Sequence, residues 1–131
     1  MRTYLVDGTN AVRRADWDPR FPAMEEARTE GFLHKVEGLA AESAGRVEIE
    51  IFFDGPRRDF RIKPGAPVRL RFPIDGDADA AILGSARRLL NSGRGVVVVT
   101  EDSGLAGEVK AEGGRAIRFA EFMDRLRGGK A

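Results

Sequence analysis

Four successive β-prone apolar runs in this chain each end in acid. Residues 3–6 lead into Asp7, residues 47–53 into Asp54, residues 68–72 into Asp75, Asp77 and Asp79, and residues 96–99 into Thr100, Glu101 and Asp102. Ligands of an open parallel sheet bind beyond the carboxyl ends of its strands. If the four runs are parallel strands, their acids therefore share one rim. Carboxylates gathered there repel each other, and a cleft screens the repulsion only partly. A divalent cation resolves it. Hard ions such as Mg²⁺ or Mn²⁺ take oxygen ligands, and a pair of them holds the attacking and leaving oxygens of a phosphodiester.

Every one of these acids also has a structural explanation. Asp7-Gly8 and Asp54-Gly55 are turn dipeptides. Asp77 suits a helix N-cap, and Asp79 complements a helix dipole. Asp102 or Ser103 can cap the helix that follows. Asp79 is more informative, because at helical spacing it shares a face with Ile82, Leu83, Ala86 and Leu90. That apolar face must turn to the sheet, so Asp77 reads as the cap and Asp79 as the ligand. Asn10, three residues after Asp7, suits either a supporting contact to water or phosphate or a local Asx turn.

The elements that would position these residues alternate between strand and helix, the mark of an α/β domain with a mainly parallel sheet. Residues 96–99 are four consecutive valines, as expected of a strand buried on both faces. Residues 68–72 alternate Val-Arg-Leu-Arg-Phe, as expected near a sheet edge with one wet face. Residues 116–119 form a weaker last strand. Helices are expected from Pro22 to about Ala44-Gly45, from about Ala78 to Leu90, around Leu105–Val109, and over roughly residues 120–126. Residues 13–22 and 55–67 read as exposed loops. The expectation is one domain over residues 1–131, a three-layer α/β/α sandwich with about five strands.

Composition narrows the chemistry. The chain has no cysteine, which excludes disulfides, thiolate metal sites and cysteine nucleophiles. His34 is the only histidine, and it falls inside the first long helix, so zinc and histidine catalysis are not expected. No apolar run approaches a membrane span, and Met1 leads straight into a strand-like stretch, so a cytoplasmic protein without a leader is expected. The net charge of +1 does not by itself announce a polyanion binder. The distribution of charge says more: Arg13 and Arg14 follow Asp7, and Arg57, Arg58, Arg61 and Lys63 follow Asp54, where they could meet phosphates or simply be solvated. Trp17 could stack a base or anchor its own loop. The glycines at 93, 95, 113 and 114 fit no nucleotide-binding loop.

Several of these motifs, in this order, resemble the NYN domains of the PIN-like nuclease superfamily, and most of all their bacterial YacP-like branch. Tyr4-Leu5-Val6-Asp7-Gly8-Thr9-Asn10 resembles the opening strand and its Asp-Gly-x-Asn signature. Phe52-Phe53-Asp54-Gly55 resembles the second strand end, and Asp77-Ala78-Asp79-Ala80-Ala81-Ile82 the Thr-Ala-Asp-x-x-Ile helix start. Val98-Val99-Thr100-Glu101-Asp102 is similar to Val-Thr-Ser-Asp, and residues 113–118 with Glu121-Phe122 to the last turn, strand and helix. The resemblance spans nearly the whole chain. It implies a Rossmann-like fold, Mg²⁺ or Mn²⁺ held by Asp7, Asp79 and Asp102 with Asp54 and Asn10 close by, and endonucleolytic cleavage of RNA. Two departures, Asp77 for threonine and Glu101 for serine, both add negative charge; Glu101 and Asp54 would then act through water or orient the ligands.

Two other α/β enzymes with strand-end acids fit less well. A phosphatase of the haloacid dehalogenase type wants a second aspartate where Thr9 stands, and a receiver domain wants an acidic pair near Asp7 and a lysine after the last strand. The alternative that stays open is a catalytically inactive domain of the same fold that binds RNA or protein. A homodimer, or a ribosomal or other protein partner, is not resolved by the sequence.

Overall fold

The computed structural model describes residues 1–13, 15–129 and 131. The chain runs β1 (Arg2–Asp7), α1 (Gly8–Val12), α2 (Pro22–Ala40) with a 3₁₀ turn at Ala41–Ser43, β2 (Val47–Phe52), β3 (Val68–Arg71), α3 (Ala78–Asn91), β4 (Val96–Val99), α4 (Ser103–Ala111), β5 (Arg115–Ile117) and α5 (Phe119–Arg127). All five strands are parallel, in the order β3-β2-β1-β4-β5.

The period of two along each strand sorts the core into two layers. Tyr4, Val6, Val97 and Val99 face Leu33, Val36 and Ala40 of α2 and Phe122, Met123 and Leu126 of α5. Leu5, Val96 and Val98 face Ala78, Ile82 and Ala86 of α3 and Leu105 and Val109 of α4. Both faces are therefore covered, which accounts for the unbroken burial of β4. The expectation of a three-layer α/β/α sandwich is met, and the alternating Val-Arg-Leu-Arg run does form an edge strand.

Two details differ from the sequence-based expectation. Helix α1 was not expected: its five residues are too few to show a helical period, and its cap is Asp7 itself. The first long helix stops at Ala40 and tightens into a 3₁₀ turn before Gly45 instead of running through to it. Among the described residues, no helix is long and apolar enough to cross a membrane.

The connections decide where a site can form. From β1 the chain moves outward to β2 and β3, then returns to β4 on the other side of β1 and continues to β5. The switch point of the sheet lies between β1 and β4, where crossovers leave in opposite directions and open a crevice. Register pairs Val6 with Val99, which makes Asp7 and Thr100 neighbours at that crevice.

Candidate active site

Asp7 forms the floor of the crevice. It is 4% exposed. One carboxylate oxygen accepts the Asn10 backbone N–H (3.2 Å) and the other accepts the Thr100 hydroxyl (3.0 Å). Burial pushes its pKa from about 3.8 to about 6, against the lowering effect of these hydrogen bonds; the negative charges of Asp79 and Asp54 push the same way as burial. A buried acid that feels two other acids and no cation is strained in its ionised form.

Thr100 ties the strand ends together. While donating to Asp7, its oxygen accepts the Asp102 N–H (3.1 Å). Sequence reading passed over it because a threonine after a valine run looks like one more β-branched strand residue. Asn10 spans the same gap from the other side: its side-chain oxygen accepts the Glu101 N–H (2.9 Å), and its NH₂ group has no partner among the described residues. Asn10 thus takes part in a cap and in a bridge between strands, more than the local turn bond that was its simplest explanation.

The remaining aspartates surround this floor. Asp54 accepts the Ala78 N–H at the start of α3 (2.8 Å), while its own N–H donates to the buried Thr9 hydroxyl (2.7 Å). Asp77 caps α3 through the Ala80 N–H (3.1 Å), as expected. Asp102 caps α4 through Gly104 and Leu105 (2.8 and 3.2 Å), so its structural role is real, and only one of its oxygens is used for it. Asp79 is different. Its carboxylate accepts no hydrogen bond among the described residues, and desolvation together with Asp102, Asp54, Asp77 and Glu108 holds its pKa above the ordinary value. It is also more exposed than its helical position suggests, since the inward face of α3 is carried by Ala78, Ile82 and Ala86, and Asp79 lies at its margin. Glu108 of α4 was missed by sequence reading, because a glutamate inside a helix carries no motif.

Glu101 stands apart from this group. Its carboxylate accepts the Phe119 N–H at the start of α5 (2.9 Å) and lies 3.6 Å from Arg118. It is not among the charges acting on Asp7 or Asp79. Its visible work is to fasten the end of β4 to α5.

Several acidic residues elsewhere pair with arginine: Glu25 with Arg13, Glu50 with Arg71, Glu112 with Arg87, Asp18 with Arg20. Among the described residues, none of Asp7, Asp54, Asp77, Asp79 and Asp102 has a basic side chain within salt-bridge distance. As the side chains stand, no three acidic or histidine groups among the described residues are close enough to ligate one ion directly. The carboxylates at this rim are all oxygen donors, the ligand type that hard divalent cations take, but among the described residues they do not stand together as one ligand set.

The basic residues divide by environment. Arg13 is held by Glu25 (3.3 Å) and lies over the Trp17 ring (4.5 Å), and the Trp17 N–H also donates to Glu25 (2.7 Å), so Trp17 anchors its loop. Arg58 is not free for phosphate. It sits over Phe53, Phe60 and Phe72 at 5.5–5.7 Å, with Glu25 at 3.8 Å. Arg57 pairs loosely with Asp59 (3.8 Å), and Arg61 and Lys63 are exposed in the same loop. Arg14 lies outside the described residues. His34 is on the surface beside Glu37, away from the crevice.

The fold has a solved counterpart. Rae1 (YacP) from Bacillus subtilis superposes with a TM-score of 0.68 at 21% identity, covering 98% of this chain and 75% of that one. The chain shares the fold of Rae1 (YacP). A tryptophan-to-leucine variant of the same protein gives a TM-score of 0.67 at 20% identity, with 98% and 76% covered. The resemblance to the YacP-like branch of NYN domains, read from motifs, is thereby met at the level of fold. No protein-family profile matches the sequence, and no curated protein matches it.

Proposed function

We propose that the chain is a divalent-metal-dependent endoribonuclease of the cytoplasm, hydrolysing RNA phosphodiester bonds at the crevice between β1 and β4. The observation that carries the reading is the set of aspartates gathered at the switch point of a nuclease-type fold, without a basic partner among the described residues. Bound Mg²⁺ or Mn²⁺ would supply Lewis acidity there, activating water and offsetting the charge that grows on the phosphoryl oxygens.

The chain's own residues have separable tasks in this proposal. Asp7, Asp79 and Asp102 hold the cation. Asp54 keeps the α3 end in place through Ala78, and Thr100 orients Asp7. The NH₂ of Asn10, without a partner among the described residues, would donate to a phosphate oxygen. Of the basic residues expected to meet RNA, the exposed Arg57, Arg61 and Lys63 remain suited to it, while Arg58 is a packing residue.

The lack of three converged carboxylates favours one other reading, a domain of the same fold that binds RNA or protein without cutting. Manganese-dependent cleavage of structured and unstructured RNA separates the two. The nuclease reading expects cleavage by the wild type, and its loss in Asp7→Asn and Asp102→Asn variants that keep their circular-dichroism spectra; asparagine still caps α4 in the second. Cleavage that persists in both variants, or RNA binding with no cleavage, overturns the nuclease reading.

A further inference from the structure

Beside the acidic crevice lies a second concavity, a groove of about 760 Å³ between α2 and α5. Its floor is apolar and aromatic. Phe32 and Phe119 meet edge to face, with ring centres 6.2 Å apart and planes at 87°, and Met123 lies beneath them. Both rings are only half-buried, so each shows surface to the groove. Its walls carry Lys35, Arg127, Arg13 and Arg28 together with the acidic Glu101 and Asp124. The arginines have carboxylate partners, but Lys35 has none among the described residues.

Asn10 belongs to both places. Its backbone N–H donates to Asp7 at the crevice floor, and its side chain lines the mouth of the groove. Glu101 links them a second time, since its carboxylate fixes the first residue of α5, Phe119, from the end of β4. The start of α5, and with it Phe119 of the aromatic floor, is therefore tied to the end of β4.

We infer that this groove is a nucleotide subsite for single-stranded RNA, receiving the nucleotide next to the phosphate at the acidic crevice. The identity of the polymer rests on the ribonuclease reading; the character of the subsite rests on the groove. A partly exposed aromatic floor binds any base through its π-face, and a duplex keeps those faces stacked inside. An apolar floor with a basic side chain at its wall matches a base beside a phosphate, with Lys35, which has no carboxylate partner among the described residues, as the phosphate contact. A peptide helix would want a longer apolar stripe than two rings and one methionine provide.

The test is binding without cleavage, on the full chain in EDTA. A short, fluorescent, single-stranded RNA substituted with iodouridine is titrated, irradiated, and the cross-linked peptides are mapped. The inference expects cross-links to the segments holding Phe32 and Phe119. It expects Lys35→Glu, on the exposed side of α2, to weaken binding roughly three- to tenfold at low salt and to flatten the slope of log affinity against log salt by about 0.7. A Phe119→Leu variant, which keeps an apolar side chain at the base of α5, should lose the cross-link at its own position and bind at least about fivefold more weakly. Cross-links confined elsewhere with an unchanged Lys35→Glu affinity overturn the inference, and so does equal cross-linking by a duplex of the same sequence. Manganese-dependent cleavage alongside those negative results leaves the nuclease reading standing alone. Groove cross-links without any cleavage sustain the subsite and overturn the nuclease reading.

Discussion

Asp7 concentrates the conflict between stability and chemistry in one side chain. Its folded-state pKa of about 6 lies above the ordinary 3.8, so the native state holds that proton more tightly than the unfolded chain does. Stability contributed by the neutral form is complete below about pH 3.8 and is lost as pH rises through about 6. The ionised group then costs on the order of 3 kcal/mol at neutral pH. Asp7→Asn should accordingly be more stable than the wild type at pH 7.5 in EDTA, by up to that amount, with the gap closing at pH 4. Urea unfolding at the two pH values checks this, and a variant no more stable at pH 7.5 contradicts it. The substitution should at the same time abolish cleavage, the pattern of a residue kept for function at a cost in stability. Thr100→Val tests the neighbouring hydroxyl. It removes a donor to Asp7 and an acceptor for the Asp102 N–H, and should cost about 1–2 kcal/mol. It should also move the titration of the Asp7 carboxyl, followed by carbon NMR, to still higher pH. The importance of Asp7 was legible from its place after a strand; the work of Thr100 and the direction of Glu101 were not. Glu101 could turn toward either of two adjoining elements, and only the position of α5 decides between them.

At the scale of elements, the short helix α1 is what makes the strand end a site. It begins directly after β1, takes Asp7 as its cap, and presents Thr9 to the Asp54 N–H and Asn10 to the Glu101 N–H. It can lie that close to the sheet because its first residue is Gly8. A Cβ there would stand 2.6 Å from Phe53 Cε1 and 2.7 Å from Ile51 Cγ2. Gly8→Ala should therefore destabilise the protein by about 1–3 kcal/mol through overpacking. It should lower cleavage more than that loss of folded protein explains, because the displaced helix carries Asn10 and the cap of Asp7 with it. Thermal unfolding and single-turnover cleavage of fully folded enzyme measure the two effects separately, and equal wild-type rates per folded molecule would contradict the second. The strands and the long helices could be read from the sequence because hydrophobic period reports them directly. Five residues reading Gly-Thr-Asn-Ala-Val report no period, and the apolar cage around Arg58 is assembled from Phe53, Phe60 and Phe72, which no local window joins.

For the whole molecule, topology brings scattered acids to one rim of the sheet. The sheet order places β1 between the two halves, so the ends of β1 and β4 meet where the crossovers part, and the turns after β2 and β3 close in from one side. The alternation of strand and helix made the sandwich and the rim of acids legible without coordinates. The groove between α2 and α5 was not legible, because its lining comes from segments that only the packed third layer brings together. A rim of aspartates without basic partners among the described residues, beside an aromatic groove, is the arrangement on which the proposed function rests. If a cation is what relieves the rim, millimolar Mn²⁺ should raise the unfolding temperature of the wild type and leave that of Asp7→Asn nearly unchanged, since stabilisation by a ligand follows its occupancy of the native state. The most direct measurement is anomalous scattering from a crystal soaked in manganese. The account predicts a peak within ligand or single-water distance of Asp7, Asp79 and Asp102; a soaked crystal with that crevice free of manganese, or with manganese only at other acids, would contradict it.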